Sequence, residues 1–212
     1  MVNRWTAIAA MAFSTSALAH HPLGGLPMET FLHGTLSGIG HPLLGFDHLF
    51  FVILIGIASV FTAHRLLAPL AYIATMLAGC LVTSLWTALP AAEVMIALSL
   101  LVLGSILLSG RKFSSATLLL AFAAFGLFHG GAFGATLAAQ ESGFSTQVLT
   151  GYLLGLGIIQ YAITLAGGWL SVSVWRATET VAIQPRLAGA MVAGTGLYLT
   201  LEHLEGSLLQ LI

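Results

Sequence analysis

The sequence predicts an all-α polytopic membrane protein, with six transmembrane helices behind a cleavable signal peptide. Three observations predict it. The 212 residues include only 6 Lys+Arg and 7 Asp+Glu, so 6% of positions are charged, against roughly 25% in average soluble domains. Hydrophobic residues make up 58% of the chain and the mean hydropathy is +1.01. The apolar residues also fall into long runs, and a transmembrane helix needs roughly 20 such residues. A soluble fold would need more surface charge. Disorder would need low hydrophobicity and high charge. With one Lys and no basic run, the chain lacks the footprint of a nucleic-acid binder. The 24 Gly suit close helix packing in a bilayer.

Residues 1–19, MVNRWTAIAAMAFSTSALA, read as a signal peptide: Arg4 is the positive n-region, an apolar stretch follows, and Ala17-Leu18-Ala19 is an A-x-A cleavage site. Residues 20–212 then form one transmembrane domain, beginning with His20-His21. Met28 to Ser37 reads as a short interfacial helix before a break at Gly38-Ile39-Gly40. The first span runs from about Pro42 to Ala63, with Pro at the first helical position, where its missing N–H costs nothing. The second covers about Leu66 to Leu89 and stops at Pro90. The third spans about Ala91 to Ser109 and ends at Gly110-Arg111-Lys112. The fourth covers about Ser114 to Ala139, the fifth about Thr146 to Trp175, and the sixth about Arg186 to Leu201. Cys80 is the only cysteine, which excludes an internal disulfide or a CxxC site, and it reads as a small core residue.

The charges orient these spans. With an exported N-terminus, the loops after the first, third and fifth helices face the cytoplasm. They hold Arg65, Arg111, Lys112, Arg176 and Arg186, every basic residue beyond the signal peptide. The opposite side holds Glu29, Glu93, Glu141, Glu202 and Glu205. The positive-inside rule therefore agrees with the signal peptide on N-out, C-out in a bacterial inner membrane, both termini periplasmic. Two three-helix halves would have opposite topology, as in transporters built from inverted repeats.

An ionisable residue inside a membrane is costly and needs a reason. The densest case is His41-Pro42-Leu43-Leu44-Gly45-Phe46-Asp47-His48. If Pro42 starts the helix, His41 is its N-cap and His48 lies two turns deeper on nearly the same face. Imidazoles with one carboxylate suit Ni²⁺, Co²⁺, Zn²⁺ or Cu²⁺ better than Mg²⁺ or Ca²⁺. The structural alternative is an Asp–His pair that locks two helices together. The second cluster is Phe128-His129-Gly130-Gly131-Ala132-Phe133-Gly134. Gly126, Gly130 and Gly134 form two overlapping GxxxG steps, a close-packing face, and the glycines after His129 also permit local unwinding. His41, Asp47, His48 and His129 are the candidate metal residues. His20, His21, His33, Glu202 and His203 are further polar groups toward the outer face, whose part in metal capture the sequence leaves open. Glu93 reads as a helix-dipole partner. Gln160, Tyr161, Thr83 and Ser84 read as interhelical hydrogen-bonders.

The string HPLLGFDH matches the HPxxGxDH signature of the HupE/UreJ family of nickel or cobalt permeases, and FHGGAFG resembles that family's second signature, roughly FHGxAxGxE. Members often carry a further His where Phe133 stands, and a Glu where Thr136 stands. The length, signal peptide and six spans also match. The resemblance implies that His41, Asp47, His48 and His129 handle metal and that the chain imports Ni²⁺ or Co²⁺.

The expected function is thus a secondary transporter, not an enzyme, with the ion as substrate and no cofactor. The partners implied are a divalent metal ion and the lipid bilayer, with no nucleic acid; a homo-oligomer is compatible. No GxxxxGK[ST] loop is present, so ATP hydrolysis of the P-loop kind is excluded. The alternative is an intramembrane zinc hydrolase, with His41, His48 and His129 as ligands and Asp47 as base.

Overall fold

The computed structural model describes residues 27–139 and 143–209. The expected signal peptide, His20, His21 and Glu141 lie outside these residues. The described chain is all-helical. Its elements are α1 (Phe31–Leu44), α2 (Phe46–Ser59), α3 (Ala68–Leu85), α4 (Ala92–Leu108), α5 (Ser115–Ala138), α6 (Thr146–Trp169) with a π-helical continuation (Leu170–Val174), and α7 (Ile183–Leu209).

Caps start three of the helices. Thr30, Ser114 and Ser145 accept the backbone N–H groups of His33, Thr117 and Val148 and so satisfy one orphan donor each. Glu93 lies in the first turn of α4, where its charge suits the helix dipole. At its C-terminal end α6 widens into i→i+5 bonding, with Trp175 N–H on Leu170 O at 3.0 Å.

The start of the chain departs from the sequence reading. There is no break at Gly38-Ile39-Gly40; α1 runs through it to Leu44. The glycines serve packing instead, since a Cβ at Gly34 or Gly38 would collide with the Val148 or Tyr152 carbonyl on α6. Pro42 sits inside α1 and His41 in its last turn, so His41 is not an N-cap. The break falls at Gly45, and α1 and α2 meet there at 84°. Other boundaries move too: α2 ends at Ser59 rather than about Ala63, α3 ends at Leu85, ahead of Pro90, and α7 runs from Ile183 to Leu209 rather than from about Arg186 to Leu201.

The principal helix pairs are α1 with α6, α3 with α5, and α4 with α7, while α2 packs mainly on α6. Glycine brings the backbones together in each. On the α3–α5 face, Gly126, Gly130 and Gly134 lie against the carbonyls of Tyr72, Met76 and Cys80. These residues recur every four positions on both helices, which is ridge-into-groove packing. The GxxxG expectation holds, and the local unwinding that the glycines would permit does not occur: α5 is helical throughout. Between α4 and α7 the contact residues are Gly104, Gly189 and Gly196.

By length and composition, α3, α5 and α6 with its π segment can each cross a membrane; the bent α1–α2 pair makes a fourth candidate if it counts as one span. Helix α4 is apolar but shorter, at 17 residues. The described residues therefore support a membrane protein with three to four candidate spans, fewer than the six expected.

Candidate functional site

The Gly45 break is a local consequence of HPLLGFDH. Pro42 has no N–H for the Gly38 carbonyl, so the last turn of α1 lacks one helical hydrogen bond, although the helix continues through His41 and Pro42 to Leu44. Gly45 then leaves the helix with φ −88 and ψ 101 and still serves both sides. Its N–H bonds His41 O at 3.2 Å, and its carbonyl accepts Leu49 N–H at 2.9 Å. Its φ does not require glycine, but a side chain here would be tightly packed. A Cβ at Gly45 would lie 3.1 Å from His48 Cδ2 and 3.3 Å from Asp47 Oδ1. The carboxylate and one edge of the imidazole therefore converge on this glycine.

The bend aims the first turn of α2 into the bundle. His48 is 6% exposed and His129 fully buried. Their Nδ1 atoms lie 2.8 Å apart, a hydrogen bond between residues 81 positions apart. Phe51, one turn beyond His48, stacks on the His129 ring at 4.2 Å and 10°. The other edge of His129 meets Ser99 of α4, with Nε2 to Oγ 2.8 Å. His41 is half-buried at the end of α1, and its Nδ1 lies 3.2 Å from the Tyr152 hydroxyl of α6. Phe133 stands among them, 4.5 Å from the His48 ring and 5.1 Å from the His41 ring, centroid to centroid.

The four expected residues are thus neighbours of unequal intimacy. His48 and His129 touch; the His41 ring lies 6.4 Å from that of His48; Asp47 is half-buried at the break. Among the described residues no group of three or more His, Cys, Asp or Glu side chains is gathered closely enough to hold a metal ion together. His33 lies in the first turn of α1, and Glu202 and His203 lie in the C-terminal part of α7.

The surrounding polar residues sort by role. Tyr72 donates to Gln160 Oε1 and joins α3 to α6, as expected of Gln160. Tyr161 donates to Leu66 O at 3.0 Å. Thr83 differs from expectation: it packs at Gly134, and among the described residues its hydroxyl finds no hydrogen-bond partner. Ser84 bonds within its own helix, to Leu81 O. Sequence reasoning missed Ser99 and Tyr152. A serine in the middle of an apolar run was the available signal for Ser99, but only the tertiary contact gives it a role.

A family model described as HupE / UreJ protein matches residues 8–199. This chain belongs to the HupE/UreJ family. A curated relative, Protein HupE of Rhizobium leguminosarum bv. viciae, is 30% identical over 193 residues, covering 90% of this chain and 93% of the relative. No solved structure matches. The HupE/UreJ match spans both histidine clusters and all the described helices except the last residues of α7.

Proposed function

We propose that this chain is a secondary transporter that imports Ni²⁺ or Co²⁺ across the bacterial inner membrane. Six spans follow a cleaved signal peptide, and both termini are periplasmic. The observation that carries the reading is the buried His48–His129 contact at 2.8 Å, flanked by His41 and by Asp47 at the Gly45 break. Two costly intramembrane histidines from separate motifs meet at one point, which is how residues on an ion pathway are placed. Membership of a family associated with nickel and cobalt uptake supports the same reading.

The ion would meet Asp47, His41 and His48 first and pass to His129 as the His48–His129 hydrogen bond opens and frees the His129 Nδ1 lone pair. Neutral imidazoles and an ionised carboxylate are the donor set that borderline divalent metals accept. Ligands that stand apart suit a transporter, because an ion held too well does not leave. The membrane potential would favour inward movement of a dication by about 4.6 kcal/mol per 100 mV. The hydrolase alternative finds no favouring observation.

The test is accumulation of radioactive nickel and cobalt by cells that express the chain. Asp47→Asn keeps the size of the side chain and removes its charge, so uptake of both ions should fall to background with the protein still in the membrane. Normal accumulation by that variant would sink the proposed site.

A further inference from the structure

Ser99 and Tyr152 lie outside both histidine motifs, and each contacts one of the candidate metal histidines or its partner. Their protons are already committed. Ser99 is fully buried, and its hydroxyl donates to Ile96 O at 2.6 Å. A hydroxyl has one proton, so while that proton is on Ile96 O the hydroxyl accepts at its 2.8 Å contact with His129 Nε2. His129 therefore carries its proton on Nε2 and, when neutral, a lone pair on Nδ1. That lone pair faces His48 Nδ1 at 2.8 Å, so His48 donates from Nδ1 and keeps its own lone pair on Nε2. The hydrogen bonds run in one direction, from His48 through His129 and Ser99 to the carbonyl of Ile96.

Tyr152 repeats the device. Its hydroxyl donates to Phe133 O at 3.2 Å and so accepts at His41 Nδ1, also at 3.2 Å. His41 then has its proton on Nδ1 and its lone pair on Nε2, like His48. Two hydroxyls on different helices impose the same tautomer on both histidines of HPLLGFDH.

We propose that Ser99 and Tyr152 are positioning residues that hold His48 and His41 in the Nδ1–H tautomer and so assign Nε2 of each as the metal-binding nitrogen. This rests on the reading of the two histidines as metal ligands. A hydrogen bond to the second ring nitrogen is the ordinary means by which proteins fix the tautomer and orientation of a metal-binding imidazole. Without the acceptor at Ser99, the His129 proton is better placed on Nδ1, where His48 Nδ1 can accept it. The His48 proton then moves to Nε2 and blocks that nitrogen.

The experiment uses the full chain with ¹⁵N-labelled histidine in lipid nanodiscs, without metal and then titrated with Ni²⁺. Nitrogen shifts separate protonated from lone-pair nitrogens ring by ring. In the parent chain His129 should be protonated on Nε2, and His48 and His41 on Nδ1. Ser99→Ala should turn the His129 and His48 pattern over or mix it, and weaken Ni²⁺ binding by about 10–100-fold. Ser99→Thr returns an acceptor and should restore both readouts. Tyr152→Phe should disturb the His41 signals alone. A His129 proton on Nδ1 in the parent chain overturns the proposal, as does a Ser99→Ala protein with unchanged shifts and affinity. If the parent chain binds neither Ni²⁺ nor Co²⁺, the transport reading fails by itself, and the metal-free spectra still decide the tautomers.

Discussion

Phe133 is the residue on which the candidate site turns. Its ring stands 4.5 Å from the His48 ring and 5.1 Å from the His41 ring, the distances at which another ligand would be useful. The resemblance to the family's second signature would lead one to expect His at this position. Here an aromatic ring with no donor atom fills it, and the two imidazoles pack on it edge to face and at a tilt. Phe133→His would place a third imidazole beside His41 and His48, and the expected outcome is tighter Ni²⁺ binding by titration calorimetry. Unchanged or weaker affinity would show that the two histidines do not act on one ion. Gly45 belongs to the same scale: its missing side chain leaves room for both His48 Cδ2 and Asp47 Oδ1.

Helix pairs, more than single helices, organise the molecule. Inside a bilayer lipid tails are as apolar as Leu, so helix association depends on close packing. On α5 the glycines at 126, 130 and 134 meet the Tyr72, Met76 and Cys80 carbonyls of α3, and the contact is to backbone, which cannot rotate away. Gly130→Leu should therefore destabilise the protein by about 1–3 kcal/mol or more. A lower Tm in detergent, with loss of folded protein on heating, is the expected measurement. His129 is next to Gly130, so the same packing fixes the depth and rotation of its imidazole. From sequence the glycines near the histidine allowed close packing or local unwinding. They are helical because the neighbouring backbone occupies the space a side chain would need.

At the scale of the whole molecule, the three principal pairs, α1–α6, α3–α5 and α4–α7, are unchanged when α1 is exchanged with α5, α3 with α6, and α4 with α7. Two inverted three-helix halves would make this pairing. His48, from the first half, and His129, from the second, then meet through like atoms, Nδ1 to Nδ1. The orientation can be measured directly. Alkaline phosphatase fused after Glu141 should be active in living cells, and the same enzyme fused after Lys112 should be inactive. The reverse pattern would refute the N-out, C-out assignment.

Much of the element list was legible because transmembrane helices are long, apolar and bounded by Pro, Gly and charge. Helices α4 and α5 lie within one residue of expectation at each end. The errors cluster where residues serve a neighbour rather than their own segment. Gly38 looked like a breaker and is a contact with α6; Pro42 looked like a helix start and lies in a last turn. The histidines were visible because charge and polarity are scarce in such a chain, but their order in one motif suggested a shared helix face, and the 84° bend puts them on two helices instead.

By itself the sequence determined the membrane character, through 13 charges among 212 residues, and singled out Asp47 within HPLLGFDH as a candidate metal residue. Only the tertiary structure decided that His48 meets His129, that Phe133 stands between His48 and His41, and that Ser99 and Tyr152 stand behind them. The physical reason is separation along the chain. Composition and periodicity are local and show which segments enter the bilayer. Hydrogen bonds such as that between residues 48 and 129 depend on which helices pack together, and glycine spacing sets how closely.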